Sequence, residues 1–133
     1  MCSSDLNEIY NTYKDKVDFY LVYIREAHPS DGWQVRANLD DRLEFLEPRN
    51  QDERAELAGV CMIDLGFEMP MLLDNMDNEV DAKYAALPER LYVLNKDGII
   101  SFRGIMGSRG FDVETWHDGV QKQAALSAAQ AAE

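Results

Sequence analysis

Two residues that can transfer protons stand close together directly after an apolar segment. Glu26 and His28 are two positions apart in the run EAHPSDGW. In an extended chain such residues share a face, and a carboxylate beside an imidazole raises the imidazole pKa and fixes its tautomer. The spacing predicts an acid/base pair that serves catalysis. It equally fits an ordered loop in which His28 and Asp31 only satisfy backbone groups, and spacing alone leaves both interpretations open.

The two cysteines offer thiol chemistry. Cys61 falls on the apolar stripe of a predicted helix, which is typical of a buried, inert thiol, and its alternative role is that of a redox thiol that attacks an oxidised partner. Cys2 lies close to Asp5, whose negative charge opposes thiolate formation. The sequence contains no Cys-x-x-Cys and no His-x-x-x-His pair, so we predict no metal site.

Length and charge restrict the class of protein. The chain has 133 residues, 46% of them hydrophobic and 29% charged, which predicts one globular domain over 1–125 and a frayed, Ala-rich tail over 126–133. A net charge of −12 repels polyanions, so nucleic acids and anionic membranes are excluded as expected partners. The apolar stretches are far shorter than the ~20 residues of a spanning helix. The first residues do not resemble a signal peptide, and we expect a cytoplasmic protein.

Hydrophobic periodicity predicts an alternation of helices and strands. Apolar residues at helical spacing predict helices over about 4–15 and 51–65, a short acidic helix from 74 to about 84, and a last helix after Asp112. Runs of β-branched and aromatic residues predict strands over 17–24, 69–73, 90–94 and 99–103, the last two forming a hairpin around Asp97-Gly98. The stretch from 25 to 50 has no period and is predicted to be a long loop.

This order of elements predicts an α/β fold. A sheet that combines parallel strands with a hairpin, helices on both faces and a proline leading into the hairpin is the plan of a thioredoxin-type domain. In such domains the proline, here Pro88, is cis and presents a backbone edge to the substrate; the alternative is a trans proline that starts an edge strand. Glu89 and Arg90 fit either a neutralised pair or a charged clamp for a polar substrate group.

Three segments together resemble one enzyme family. They are VDFYLVYIREAHPSDGW at 17–33, LLDNMDN at 72–78 and YAALPERLYVLNKDGIISFRG at 84–104. In order and content they resemble the iodothyronine deiodinases and their soluble, cysteine-containing bacterial relatives. The resemblance implies a thioredoxin-like fold with a peroxiredoxin-like insertion. It also implies reductive deiodination of iodinated or other halogenated phenols, with a thiol reductant as electron donor and no further cofactor.

The resemblance also implies roles for individual residues. Glu26 and His28 match the proton-transfer residues and Pro88 the cis proline. The substrate-binding candidates lie in the segments at 17–33 and 84–104. They are Tyr23, Ser30, Trp33, Pro88, Glu89 and Arg90. The family's reactive Cys/Sec-Pro-Pro-Phe motif matches no stretch of this sequence, so we expect the N-terminal strand and the nucleophile to come from residues before Met1. Cys2 is not the equivalent of that nucleophile.

Two other functions remain open at this stage. One is a non-catalytic thioredoxin-like binding module, with a homodimer as a candidate assembly. The other is a thiol peroxidase or disulfide reductase that uses Cys61. The glycine loop over 104–110 differs from the family pattern, because Met106 stands where some relatives carry a basic residue, and Arg109 is only a loose substitute.

Overall fold

A computed structural model describes residues 3–26, 47–107 and 110–131. Within these residues the chain forms four helices and four strands, in a mixed α/β arrangement. The helices are α1 (Ser3–Tyr13), α2 (Gln51–Leu65), α3 (Glu79–Tyr84) and α4 (Val113–Ala131). The strands are β1 (Leu21–Tyr23), β2 (Met71–Leu73), β3 (Tyr92–Leu94) and β4 (Ile100–Arg103).

The strands pair in two small sheets. β1 and β2 are parallel, with Val22 opposite Leu72, and β3 and β4 are antiparallel, with Val93 opposite Phe102. Each predicted strand is present but shorter than expected, because the apolar stretches extend beyond the residues that form ladder hydrogen bonds. The sequence predicted a single sheet, whereas the described residues form two.

The ends of α2 were predicted correctly. The Asn50 side chain accepts a hydrogen bond of 2.9 Å from the backbone N–H of Glu53, which caps the first turn. Gly66 ends the helix in the left-handed conformation, with φ 65°, a region in which a residue without a Cβ is favoured. The apolar stripe predicted for α2 consists of Ala55, Leu57, Ala58, Cys61, Met62 and Leu65, and this prediction was partly wrong. Arg54 and Ala58 are the buried residues of the helix, while Ala55 and Leu65 are exposed.

The core lies where α1 and α4 meet the strands. Its buried members, contributed by both helices and by the segments that enter or form β1, β2 and β3, are Leu6, Ile9, Phe19, Phe67, Met69, Val93, Trp116 and Val120. The Trp116 indole N–H donates to the backbone oxygen of Tyr92 at 3.0 Å, so this large ring buries its polar atom with a partner. The core therefore packs α4 against the β3–β4 hairpin and fixes the positions of β1, β2 and β3.

The last helix is longer than the sequence predicted. Asp112 caps its first turn, as expected, by accepting from the N–H of Glu114 at 3.0 Å. The helix continues to Ala131, with Ala124 buried and Leu126 exposed. Fraying of the residues from 126 onward stays a prediction. Within the described ranges, no helix combines the length and apolar character needed to cross a membrane.

Candidate active site at the end of β1

The first part of the site follows β1 directly. β1 is fixed against β2 by backbone bonds that continue beyond the strand, including Asp74 N–H to the Tyr23 carbonyl at 2.9 Å. The Tyr23 hydroxyl donates a hydrogen bond to Oε1 of Glu26, and both side chains are half-buried. The chain turn after β1 thus brings a phenol and a carboxyl together at the carboxyl end of a parallel strand, where α/β proteins commonly place ligands.

Cys61 completes this group from α2. Its Sγ lies 4.0 Å from the Tyr23 hydroxyl oxygen, the outer limit of a sulfur hydrogen bond. The thiol is half-buried, so the expectation of a buried cysteine was wrong, while its inertness stays a prediction. Either the thiol or the Tyr23 hydroxyl can be the donor in this contact. The three groups form a hydrogen-bonded series from Cys61 through Tyr23 to Glu26.

A buried arginine supplies positive charge beside this series. Arg54 lies two turns before Cys61 on the same face of α2 and is only 1% exposed. Its guanidinium donates to the carbonyl oxygen of Asn75 at 2.6 Å and to Oδ1 of Asn78 at 3.0 Å. Its Nη2 also lies 3.6 Å from Oε1 of Glu47. Arg54 therefore ties α2 to the loop after β2 and balances an acidic neighbour of Glu26.

Burial sets the protonation of both titratable groups. Burial raises the pKa of the Glu26 carboxyl above its ordinary value, Glu47 raises it further, and Arg54 lowers it. Burial also raises the pKa of the Cys61 thiol, and the carboxylates of Glu26 and Asp64 add to that rise. Glu26 is therefore suited to hold and release a proton, whereas Cys61 stays largely protonated at neutral pH and is a weak nucleophile.

The second part of the site lies around Pro88. The Leu87–Pro88 peptide bond is cis, as the sequence led us to expect. Arg90 is not paired with Glu89: its Nε donates to the Gly104 carbonyl at 2.7 Å and its Nη1 to the Ala85 carbonyl at 3.1 Å. The guanidinium therefore holds two loops together. Its predicted contact with substrate, like that of Glu89, stays a prediction.

A carboxylate connects the two parts. Oδ2 of Asp81 lies 2.8 Å from Nε of Arg25, the residue before Glu26, and Oδ1 accepts from the Leu87 N–H at 3.0 Å. Asp81 sits on α3, whose first turn is fixed by Asp74: the buried Asp74 carboxylate accepts from the N–H groups of Val80 and Asp81, each at 3.0 Å. The segment after β2 is thus folded around two buried carboxylates.

Several predicted site residues lie outside the described residues. These are His28, Ser30 and Trp33 of the candidate site, together with Cys2 and Arg109. Their roles stay predictions. Among the residues that are described, no three His, Cys, Asp or Glu side chains form a group that could hold a metal ion.

Sequence reasoning missed the residues that organise the site. Arg54, Asp74 and Asp81 are buried, yet Asp74 and Asp81 were predicted only as part of an acidic helix and Arg54 was not singled out. For Arg54 a signal was present, because it stands one helical turn before Ala58 on the face that carries Cys61. Nothing in the spacing distinguishes Asp81 from its exposed neighbours in α3.

Comparison with known proteins identifies the family. A sequence model of the iodothyronine deiodinases matches residues 3–123. The chain belongs to the iodothyronine deiodinase family. It is 37% identical over 110 residues to a type I iodothyronine deiodinase of Xenopus laevis, covering 83% of this chain and 41% of that protein. It is 32% identical over 123 residues to a thyroxine 5-deiodinase of Bos taurus, covering 90% of this chain and 39% of the relative.

The match to the deiodinase family covers all the described parts of the site. A thyroxine 5-deiodinase of Gallus gallus is 34% identical over 110 residues, 80% of this chain and 40% of that protein. The chain spans about 40% of the length of these curated relatives. The match includes β1, α2 and the Pro88 segment, so Tyr23, Glu26 and Cys61 all lie in the part shared with the deiodinases.

The raised pKa of Cys61 predicts how its thiol reacts. In the Cys2→Ser background, we expect the rate of alkylation by iodoacetamide to rise with pH, with a midpoint above that of a free cysteine, because only the thiolate reacts. Glu26→Gln removes one of the carboxylates that raise the Cys61 pKa. The midpoint should then move to lower pH, measured by mass spectrometry of the modified protein. An unchanged midpoint would show that Glu26 and Cys61 do not interact.

Proposed function

We propose that this chain carries the proton-transfer and substrate-positioning part of a site for reductive deiodination of iodinated phenols, in a thioredoxin-like fold. The observation that supports this most directly is the contact of Glu26 with Tyr23 at the end of β1, where burial raises the Glu26 pKa. A carboxyl that retains its proton closer to neutral pH is a general acid. Membership of the deiodinase family supplies the reaction class.

The reaction requires a proton and two electrons for each iodine removed. The aryl carbon–iodine bond breaks, a carbon–hydrogen bond forms, and iodide leaves. Two thiols supply the electrons and become a disulfide, so that one aryl iodide and two thiols give one arene, one disulfide, one proton and one iodide. In our proposal Glu26, with His28, delivers the proton to the ring, and the Tyr23 hydroxyl holds the Glu26 carboxyl in place.

The nucleophile in this proposal is a thiol or selenol outside these 133 residues. Cys61 is unsuited to the first attack, because burial and two carboxylates raise its pKa. Its Sγ lies 4.0 Å from the Tyr23 hydroxyl oxygen, which fits a thiol that reacts second, with an already oxidised partner. A thiol reductant then returns the site to its starting state. We assign substrate contacts to Ser30, Trp33 and the backbone edge at Pro88 and Glu89.

The test is iodide release. The 133 residues are preceded by Thr-Cys-Pro-Pro-Phe and supplied with a dithiol and 2,6-diiodophenol, and the matched control carries Ser in place of the added Cys. We expect iodide release only with the added Cys, with one dithiol oxidised for each iodide formed. Equal release by the Cys and Ser forms would overturn the proposed activity, while leaving family membership intact.

Cys61→Ser distinguishes the proposed reaction from a Cys61-based peroxidase or disulfide reductase. If Cys61 reacts second, the added Cys of the variant still takes the iodine and releases one equivalent of 2-iodophenol, but iodide release slows, because the second thiol that displaces iodide from that sulfur is missing. If Cys61 is the attacking thiol, peroxide reduction is present in the chain without the added Cys and is lost on Cys61→Ser. That second result would contradict the role assigned here.

A further inference from the structure

We propose that Arg25 and Asp81 are positioning residues that hold the Glu26 end of β1 against the Leu87–Glu89 segment and so fix the width of the substrate site. The proposal rests on the function proposed above. Arg25 and Asp81 are 56 positions apart, and their contact joins the two halves of the candidate site across the molecule. One half carries Tyr23 and Glu26, and the other carries the Pro88 edge.

The geometry at Asp81 is that of a fixed acceptor. Its side chain is 8% exposed, and both carboxylate oxygens are used: Oδ1 accepts from the Leu87 N–H at 3.0 Å, and Oδ2 from Nε of Arg25 at 2.8 Å. Its own N–H is bound by the Asp74 carboxylate at 3.0 Å. Backbone N–H groups therefore hold Asp81 on one side and Arg25 holds its carboxylate on the other, so a shift of Asp81 moves Leu87 with it.

Arg25 contributes differently. Its side chain is 46% exposed and does not belong to the hydrophobic core. Truncating it leaves no cavity in the hydrophobic core. What is lost is a charge-assisted hydrogen bond between the residue next to Glu26 and the helix that holds Leu87. The expected consequence is a change in how the two halves are spaced, with little effect on how the domain packs.

In the proposed site, the Arg25–Asp81 pair determines how tightly the substrate binds. The Leu87 N–H and the Arg25 guanidinium each donate to one oxygen of the Asp81 carboxylate. This shared contact sets the distance between the backbone at Arg25 and the backbone at Leu87. If this distance is larger or more variable, a rigid iodinated ring fits less well, while the proton donor Glu26 stays intact. The prediction is an effect on affinity and KM, with kcat largely retained.

The test is a double-mutant cycle on the full chain. The variants are Arg25→Gln, Asp81→Asn and the double variant, with Arg25→Lys as the conservative replacement. Lys83→Gln is the matched control, because Lys83 pairs with Glu79 at 3.3 Å on the exposed face of the same helix. Affinity for 2,6-diiodophenol is measured by calorimetry at a temperature at which thermal melting shows each variant folded.

We expect Arg25→Gln and Asp81→Asn each to weaken binding about fivefold, which is the effect of losing a partly exposed charged pair. Binding by Arg25→Lys and Lys83→Gln should stay within about twofold of the parent. The double variant should bind no more weakly than the single ones, because both changes remove the same contact. In the form with the added Cys, KM should rise and kcat should stay within about twofold of the parent. Unchanged affinity in Arg25→Gln, or additive losses in the double variant, would overturn the proposal.

A second readout needs no ligand. The Leu87 amide donates to Asp81, so its hydrogen exchange reports the state of the contact. If Arg25 holds Asp81 in place, exchange at Leu87 should quicken several-fold in Arg25→Gln and stay unchanged in Lys83→Gln. If the wild type does not bind 2,6-diiodophenol at all, the proposed function fails, and the Leu87 exchange then decides on the Arg25–Asp81 contact alone: faster exchange supports it, and unchanged exchange contradicts it.

Discussion

Glu26→Gln should reduce kcat/KM for iodide release by about a hundredfold or more in the chain that carries the added Cys. The amide cannot deliver a proton, but its oxygen can still accept the hydrogen bond that Tyr23 donates to Glu26. The change therefore removes the acid while preserving the local structure. Iodide release is followed with an iodide-selective electrode, and Glu56→Gln, an exposed carboxyl on α2, serves as the control.

The raised pKa of Glu26 also predicts in which direction stability and activity change with pH. Because the folded-state pKa of Glu26 is raised, its proton stabilises the folded chain at low pH, and that contribution is lost as pH rises through the raised pKa. Activity that depends on protonated Glu26 should fall over the same range. Glu26→Gln should lose that limb of the activity profile, and at neutral pH it should be at least as stable as the parent. A variant with unchanged kcat/KM would remove Glu26 from the mechanism.

Arg54→Met should destabilise the domain by about 3 kcal/mol and lower the melting temperature by roughly 10 °C. Methionine fills a similar volume but leaves Oδ1 of Asn78 without its donor, and it removes one of the two donors that bind each of the Asp74 and Asn75 carbonyls. Unpaired buried acceptors cost more than the lost bonds alone would suggest. The measurement is urea denaturation followed by circular dichroism.

The matched control for Arg54 is Arg49. Arg49 pairs with Glu53 at 3.2 Å, but its side chain is 86% exposed, so Arg49→Met should change stability by no more than about 0.5 kcal/mol. Arg54→Lys keeps the charge and loses the planar fork, so an intermediate loss is expected. Equal stability of the Arg54 and Arg49 variants would show that the network around Arg54 contributes nothing to the fold.

The sequence predicted the elements of this fold well wherever a local signal sets them. Asn50 and Gly66 bound α2, and Asp97-Gly98 lies in the turn of the hairpin, because capping and turn formation depend on side chains a few positions away. It predicted the pairing of the strands less well. The expected single sheet is two small ones among the described residues, since pairing depends on which segments meet in space.

The residues of the candidate site were also predicted only in part. Glu26 and Pro88 were named because an unusual motif and a resemblance pointed to them; the cis bond at Pro88 is confirmed, and the role of Glu26 stays a prediction. Cys61 was named as a candidate thiol, although its contact with Tyr23 was not foreseen. The Arg25–Asp81 contact could not be predicted, because neither residue differs from its many charged neighbours until the chain is folded. Burial of a charge is a property of the tertiary structure.

We propose that an iodinated ring binds between the Tyr23–Glu26 contact and the backbone edge at Pro88. Crystals soaked with 2,6-diiodophenol allow a direct measurement, because anomalous scattering locates each iodine atom. We expect iodine peaks between the Glu26 carboxyl and the backbone of Pro88 and Glu89. The chain offers another place for such a ring, a cavity of about 270 Å³ lined by residues that include Leu91, Phe102 and Phe111. Iodine found there, and not beside Glu26, would contradict the account.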